Sequence, residues 1–242
     1  MKKTTSYRKN QQNSSLFEQE STVQSLSEMG NPLEFISDIV DFELFRPTLE
    51  AHLLNEERKS NAGRRPIDPV LMFKVMFLQR LYGLSDEQAE YQIKDRTSFR
   101  EFLGILTVTD VPDARTIWKY RESLSKSGGY DTMFRNFYNH LETLGLIVHE
   151  GKMIDASFVV APRQRNTREE NAAIKDGKGD GLWADKPNKK RHKDTDARWT
   201  KKRDETFYGY KNHAKVCVKT KLITGYDTTD ASEHCRGRDI LA

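Results

Sequence analysis

The 242-residue chain has little cysteine and no long apolar run. Cys217 and Cys235 are its only cysteines, too few for a disulfide scaffold, and their spacing is not that of a zinc site. No stretch approaches the ~20 apolar residues of a membrane-spanning helix. The basic start MKKTTSYRKNQQNSS lacks the apolar segment of a secretory signal behind it. These absences predict a cytoplasmic protein with no membrane partner.

Apolar residues are also scarce, at 36% of the chain against 31% charged residues. Residues 1–30 are rich in Ser, Gln, Asn and Thr, which predicts a disordered tail. Residues 31–150 hold 15 Lys/Arg and 19 Asp/Glu, a net charge of −4, whereas residues 162–203 hold 14 and 7, a net charge of +7. The basic block suggests nucleic acid as a partner. On charge alone, a solvated loop without a partner is an equal alternative.

Residues 31–148 have the periodicity of helices, and one helix is predicted at DPVLMFKVMFLQRLYG. Asp68 is its candidate N-cap, Pro69 takes the first helical position and Gly83 ends it. Its predicted buried stripe is Val70, Phe73, Phe77, Leu78 and Leu81. Because this helix is apolar nearly all round, we expect it at the centre of a helical domain.

SDEQAEYQIKD predicts a second helix, with Ser85 as N-cap and Gln88 three residues on as a capping box. The segment VPDARTIWKYRESLSKSGG predicts another helix, capped by Asp113. One face carries Ile117, Tyr120 and Leu124, while other faces offer the candidate DNA-binding residues Arg115, Lys119 and Arg121. Short helices with a basic last member fit a helix-turn-helix module. An ordinary helical bundle with a charged surface remains the alternative.

Residues 149–242 predict antiparallel strands on either side of the basic insertion. GKMIDASFVV alternates with period two and places Asp155 among apolar residues. Burying a carboxylate is costly unless it is paired, hydrogen-bonded or bound to a metal. Residues 162–203 lack periodicity and predict a long mobile insertion. A strand at Tyr208–Val218, with Lys211 and His213 on its basic face, and a return strand LITGYDTT follow.

The segments MIDAS, DARW, YGYKNH and LITGYDTTDASEH resemble the DDE transposases of bacterial insertion sequences, specifically the IS-five group. The resemblance covers roughly residues 40–242. It implies an α+β protein, with a helical DNA-binding domain before a ribonuclease-H-like domain of three antiparallel strands. It also implies that Asp155 is the first catalytic acid and a metal ligand, and that three such acids bind two Mg²⁺ ions. The implied partner is DNA at the element's terminal repeats, and a homodimer is left open.

The candidate DNA contacts include five basic residues of the stretch DARWTKKRDETFYGYKNH, namely Arg198, Lys201, Lys202, Lys211 and His213. Motifs for the second and third acids are absent from the chain, which ends at GRDILA, and Cys217 and Cys235 stand where many relatives carry Asp. These departures predict a truncated copy without activity of its own. A non-catalytic DNA-binding regulator derived from a transposase is the alternative.

Overall fold

The computed structural model describes residues 18–53, 66–147 and 151–233. The chain divides between Phe134 and Arg135 into two compact units, so the division falls inside a helix rather than at the predicted boundary of residue 148. Within the described ranges, no helix has both the length and the apolar character needed to cross a membrane.

The first unit is helical, and its helices that begin after Asp68, Ser85 and Asp113 were expected from these capping residues. The helices are α1 (Glu18–Glu28), α2 (Pro32–Ile39), α3 (Arg46–Leu53), α4 (Pro69–Tyr82), α5 (Asp86–Asp95), α6 (Thr97–Leu103), α7 (Ala114–Lys126) and α8 (Gly129–Thr143), with 3-10 turns at Phe42–Phe45 and Val108–Asp110. α8 begins in this unit and ends in the second.

Helix α4 lies at the centre of the first unit, as predicted, and packs against α3, α5, α6 and α7. Asp68 Oδ1 accepts hydrogen bonds from the amides of Val70 (2.8 Å) and Leu71 (3.1 Å), which confirms the N-cap. The predicted stripe is wrong at its end, because Leu81 is 49% exposed. Contacts on several sides bury a wider surface of the helix, which includes Met72, Val75 and Met76.

The predicted caps of α5 and α7 are also confirmed. Ser85 and Gln88 form the reciprocal capping box of α5. Asp113 accepts from the amide of Thr116 at 2.7 Å at the start of α7. Ile117 and Leu124 are fully buried on the predicted inner face of α7.

Helix α1 differs from the disordered tail expected up to residue 30. It packs against α6, and Val23 and Leu26, one turn apart, line a cavity that Leu33 and Phe102 also line. Two apolar residues at helical spacing therefore contribute to attaching this polar segment, as does the Ser27 hydroxyl, which donates to Glu34 at 3.0 Å. The rest of the predicted tail, residues 1–17, lies outside the described residues.

The second unit contains an antiparallel sheet of β1 (Lys152–Val160), β2 (Arg198–Lys202), β3 (Glu205–Cys217) and β4 (Ile223–Asp230). β3 is the central strand: β1 pairs along one edge, while β2 and β4 pair with successive parts of the other. The three predicted antiparallel strands are confirmed as β1, β3 and β4. β2 is an additional strand that the sequence did not predict.

The insertion at residues 162–203 was expected to be irregular, but it contains regular structure. It holds α9 (Arg168–Lys175), a 3-10 turn (Gly179–Gly181), α10 (Pro187–Arg191) and β2. Ile174, Trp183 and Ala197 are buried and give this segment a small core. The indole N–H of Trp183 donates to Glu170 at 2.7 Å. Three apolar residues spread over 24 positions make no periodic pattern, so this core could not be predicted from the sequence.

Gly209 occupies the point where β3 pairs with both β1 and β2, opposite Val160 and Arg198. Its φ of 144° is one that L side chains rarely adopt. A Cβ there would lie 2.1 Å from the carbonyl oxygen of Val159 and 2.7 Å from the amide nitrogen of Ala161. Glycine is therefore required by both the backbone angle and the space.

We expect Gly209→Ala to lower the free energy of unfolding of the second unit by about 3 kcal/mol or more, because strain and a backbone clash add. Chemical denaturation followed by tryptophan fluorescence measures the change, since Trp183 and Trp199 both lie in this unit. Gly181→Ala is the matched control, because a Cβ at Gly181 meets nothing within 4 Å. Equal stability of the two variants would contradict the requirement for glycine at position 209.

Candidate active site and nucleic-acid interface

Asp155, the predicted catalytic acid, lies on β1 opposite Ala214 of β3. The expectation that its carboxylate is buried is wrong, because Asp155 is exposed. Its Oδ1 accepts a hydrogen bond from the amide of Ala156 at 2.8 Å. The physical reason is the position of β1: among the described residues it pairs with β3 alone, and Met153 and Ile154, on opposite faces, are 54% and 44% exposed.

The sheet face around Asp155 is polar and open. In the next row along the sheet, Ser157, Asn212 and Thr228 lie opposite one another, and all three are exposed. Asp230 lies opposite Tyr210, four residues along β3 from Ala214. At about 3.4 Å per residue, that spacing separates the rows of Asp155 and Asp230 by about 14 Å. The two carboxylates therefore do not converge on one ion.

A complete two-metal site does not fit the residues that the structure describes. Two divalent ions ~3.5–4 Å apart need several anionic oxygens. Across residues 18–53, 66–147 and 151–233, no group of three or more His, Cys, Asp or Glu side chains is placed to hold a metal ion. Asp155 offers one carboxylate, and Mg²⁺ gives up its bound water reluctantly, so a single carboxylate holds it weakly. The Mg²⁺ that the resemblance implied therefore lacks a complete ligand set here.

A hydrogen-bonded pair between Asp194 of the insertion and Tyr210 of β3 was not anticipated from the sequence. The Tyr210 hydroxyl lies 2.6 and 2.7 Å from the two carboxylate oxygens of Asp194. Burial and this hydrogen bond raise the pKa of Tyr210. Burial alone would raise the pKa of Asp194, but Tyr210 and the amides of Ala197 and Asp196 donate to it and together lower it. This pair attaches the insertion to β3, and no spacing in the sequence signals it.

Two of the arginines predicted to contact DNA make hydrogen bonds to other residues of the protein. Arg121 Nη1 and Nη2 donate to the two carboxylate oxygens of Asp86 at 2.6 and 2.7 Å. Arg198 Nη1 donates to the carbonyl of Thr195 at 2.6 Å, and its Nη2 donates to that of Ile174 at 3.1 Å. Both guanidinium groups hold elements of the fold together. A sequence pattern cannot distinguish such an arginine from one that binds DNA at the surface.

His213 is placed in the interior and not on the exposed basic face that the sequence predicted. Its side chain is 1% exposed, and Nε2 lies 2.9 Å from Thr229 Oγ1. The alternation of side chains between the two faces of β3 was predicted correctly. At His213, however, the face that carries the basic residues is buried. The buried position of His213 therefore does not support a contact between this residue and DNA.

Lys211 is half-buried on the same face of β3. Its ammonium donates to the carbonyl of Glu233 and lies 5.6 Å from the ring centre of Phe158. Lys202 is exposed and its ammonium lies 5.7 Å from the same ring, so both lysines surround one aromatic residue.

The remaining predicted DNA contacts are accessible. Arg115 and Lys119 are exposed on α7, and Lys201 is exposed on β2. α7 is held against α5 by the Asp86–Arg121 pair and by Glu90, whose carboxylate accepts from the amide of Ala114 at 2.8 Å. These bonds fix α7 in place and leave Arg115 and Lys119 exposed on it.

Comparison with known families assigns both halves of the chain. Residues 21–123 match the family described as Transposase domain (DUF772), and residues 148–236 match the one described as Transposase DDE domain. The two matches support a DDE transposase. The first contains Arg115, Lys119 and Arg121, and the second contains Asp155 and the predicted basic residues of β2 and β3. No solved structure matches the chain.

Within the helical unit, Arg121→Gln should lower the free energy of unfolding by about 1–2 kcal/mol near neutral pH, since a charged hydrogen bond is lost at a partly exposed site. The hydrogen bonds from Arg121 lower the pKa of Asp86, against the opposing effect of burial. The stabilisation is therefore full above the unfolded pKa of about 3.9 and is lost as the pH falls through the lower folded value.

Chemical denaturation at about pH 7 and at about pH 3 tests this role of Arg121, because the difference from the parent protein should shrink at the lower pH. Arg115→Gln makes the same substitution on an exposed residue of α7 and should leave stability unchanged. A stability loss in Arg121→Gln no larger than that in the control would contradict the structural role.

Proposed function

We propose that the chain functions in DNA transposition as a DDE transposase of the IS-five group. The observation that carries this proposal is the pair of transposase-domain matches, at residues 21–123 and 148–236 of one chain. The segments DARW and YGYKNH within the second match support the group. Its proposed partner is the DNA of the element's terminal repeats, which places its action in the bacterial cytoplasm.

Helix α7 is the proposed element for duplex recognition. Its inner face is fixed by buried Ile117 and Leu124, and its exposed residues include Arg115 and Lys119. A helix that presents long cationic side chains to solvent can enter the major groove and bind phosphates or base edges. Arg121 is left out of this surface because Asp86 engages its guanidinium.

Asp155 is the proposed first acid of the catalytic site. Its exposure on a strand gives a substrate phosphate and a metal ion direct access to the carboxylate. We propose Mg²⁺ as the cofactor of the complete site. Among the residues that the structure describes, Asp155 is the acid assigned to this site, and no further acids join it. Cleavage by the 242-residue chain alone is therefore not part of the proposal.

A second candidate function is a DNA-binding regulator of transposition that performs no cleavage. The observation that favours it is the same lack of a three-carboxylate cluster among the described residues, together with the exposed cations of α7. Such a protein would occupy the terminal repeats and compete with an active transposase. A cleavage measurement and a DNA-binding measurement together separate the two functions.

Replacing Arg115 or Lys119 by Gln should weaken binding to duplex DNA carrying the terminal repeats. Each lost phosphate contact releases about one counterion fewer, so the slope of log affinity against log salt should fall by about 1 per contact. If a residue reads bases instead, its loss should reduce the preference for the repeats over unrelated DNA. Fluorescence anisotropy across a salt series measures both effects.

Lys126→Gln is the matched control, because Lys126 is exposed on α7 but is paired with Glu122 at 2.9 Å. It removes the same charge from the same helix and should change the salt slope less. If all three variants bind like the parent protein, α7 is not the DNA-binding element.

We expect no strand cleavage or joining by the 242-residue chain on a duplex carrying the terminal repeats, with Mg²⁺ or Mn²⁺. Among the residues that the structure describes, no further acid joins Asp155, and one carboxylate cannot hold two ions. Gel analysis of labelled DNA, with Asp155→Ala as the paired variant, makes the measurement. Cleavage that disappears in Asp155→Ala would overturn the expected inactivity and support Asp155 as an acid. Cleavage that persists in the variant would overturn the assignment of Asp155.

A further inference from the structure

Trp199 of β2 is the exposed aromatic residue from which this inference starts. Its side chain is 51% exposed, although its ring centre lies 5.0 Å from that of Tyr208, which is buried. The guanidinium carbon of Arg163 lies 5.5 Å from the Trp199 ring centre. An isolated exposed aromatic residue needs no explanation. Trp199, however, is fixed by a buried neighbour and adjoins a concentration of positive charge.

The positive charge lines a cleft of about 530 Å³ between the chain that follows β1 and the end of α10. Arg163, Arg165 and Arg191 contribute exposed guanidinium groups to it. Lys193 also lines the cleft, but its ammonium donates to the carbonyl of Arg165 at 2.7 Å and so holds the two sides together. The cleft is therefore a braced cationic surface and not a set of independent side chains.

The carboxylates near this cleft do not neutralise its positive charge. Asp194 lines it, but the Tyr210 hydroxyl and the amides of Asp196 and Ala197 donate to this carboxylate. Glu205 lies in a separate cleft of about 400 Å³, which Arg163 also lines. An anionic ligand is therefore favoured on the side of Arg165 and Arg191, and Arg163 lies between that side and Trp199.

We propose that Trp199 and this cleft bind a single-stranded segment of DNA, with the indole stacked on an unpaired base and the three arginines on its phosphates. Aromatic platforms beside cationic grooves bind single strands because every base has a π-face and every nucleotide carries a charge. A duplex hides its base faces, so it can use the arginines but not the indole. This inference rests on the proposed function, since it assigns a further part of the same DNA substrate.

The register of the sheet relates this position to Asp155. Trp199 is opposite Tyr208 and Asp155 is opposite Ala214, six residues apart along β3. Six residues of strand span about 20 Å, and the even spacing directs both side chains to one face. A stacked strand rises about 3.4 Å per nucleotide, so about six nucleotides cover this length. An unpaired segment of that size could therefore run from Asp155 to Trp199.

The test compares binding of the full chain to an oligothymidylate of about 15 nucleotides, within the range of known single-strand site sizes, and to a duplex of the same length. Trp199→Leu should weaken oligothymidylate binding about 5- to 150-fold, as loss of one stacked base does, and should change duplex binding much less. Trp199→Phe retains a π-face and should preserve most of the affinity. Circular dichroism verifies that the variants are folded.

Tyr91→Leu is the matched control, because Tyr91 is an exposed aromatic residue, at 65%, on α5 of the other unit, away from the proposed DNA-binding residues of α7. It should leave oligothymidylate binding unchanged. Arg163→Gln, Arg165→Gln and Arg191→Gln should each lower the salt dependence of oligothymidylate binding by about one counterion.

The outcomes distinguish this inference from the proposed function. Unchanged oligothymidylate binding in Trp199→Leu, or an equal loss in Trp199→Phe, overturns the stacking role. Binding of the parent chain to the duplex but not to the oligothymidylate overturns the inference and leaves the proposed function standing. Binding to neither DNA contradicts the proposed function itself.

Discussion

The pairing of β3 on both of its edges is the constraint on which the second unit depends. β1, β2 and β4 all take their register from this strand, so the positions of Asp155, Trp199 and Asp194 relative to one another follow from it. Where three strands meet, the backbone approaches so closely that only glycine fits, at Gly209. A thirteen-residue strand thereby places a candidate acid near one end and the ordered insertion near the other.

Much of the fold could be predicted because its signals are local. Helix caps such as Asp68 and Ser85 act within four residues, and strand alternation needs only near neighbours, so α4, α5, β1 and β3 were recognisable. α1 and the insertion were missed because few apolar residues stabilise them, and these contact residues distant in sequence. Trp183 is an example, since its indole reaches back to Glu170, whose pKa the Lys189 ammonium, the Thr167 amide and that indole lower to about 2.

The candidate site was less predictable, because the charge of a residue does not show whether it contacts DNA or another residue of the protein. Arg115 and Arg121 are both basic residues of one helix, yet one is exposed and the other is paired with Asp86 from a preceding helix. Arg198 and His213 likewise belong to basic segments but serve contacts within the protein. Asp155 was recognised by resemblance, whereas its expected burial was wrong because β1 lies at the edge of the described sheet.

The outer edge of β1 has a consequence for the protein in solution. Among the strands that the structure describes, none pairs with the side of β1 away from β3 over its nine residues, and Val159 and Val160 are 50% and 66% exposed on its two faces. Such an edge is a template for another extended segment, whether from a second copy or from any chain with free hydrogen-bonding groups. The oligomeric state of the purified protein should therefore depend on its concentration. Charged or proline substitutions along β1 are the natural means of reducing its self-association.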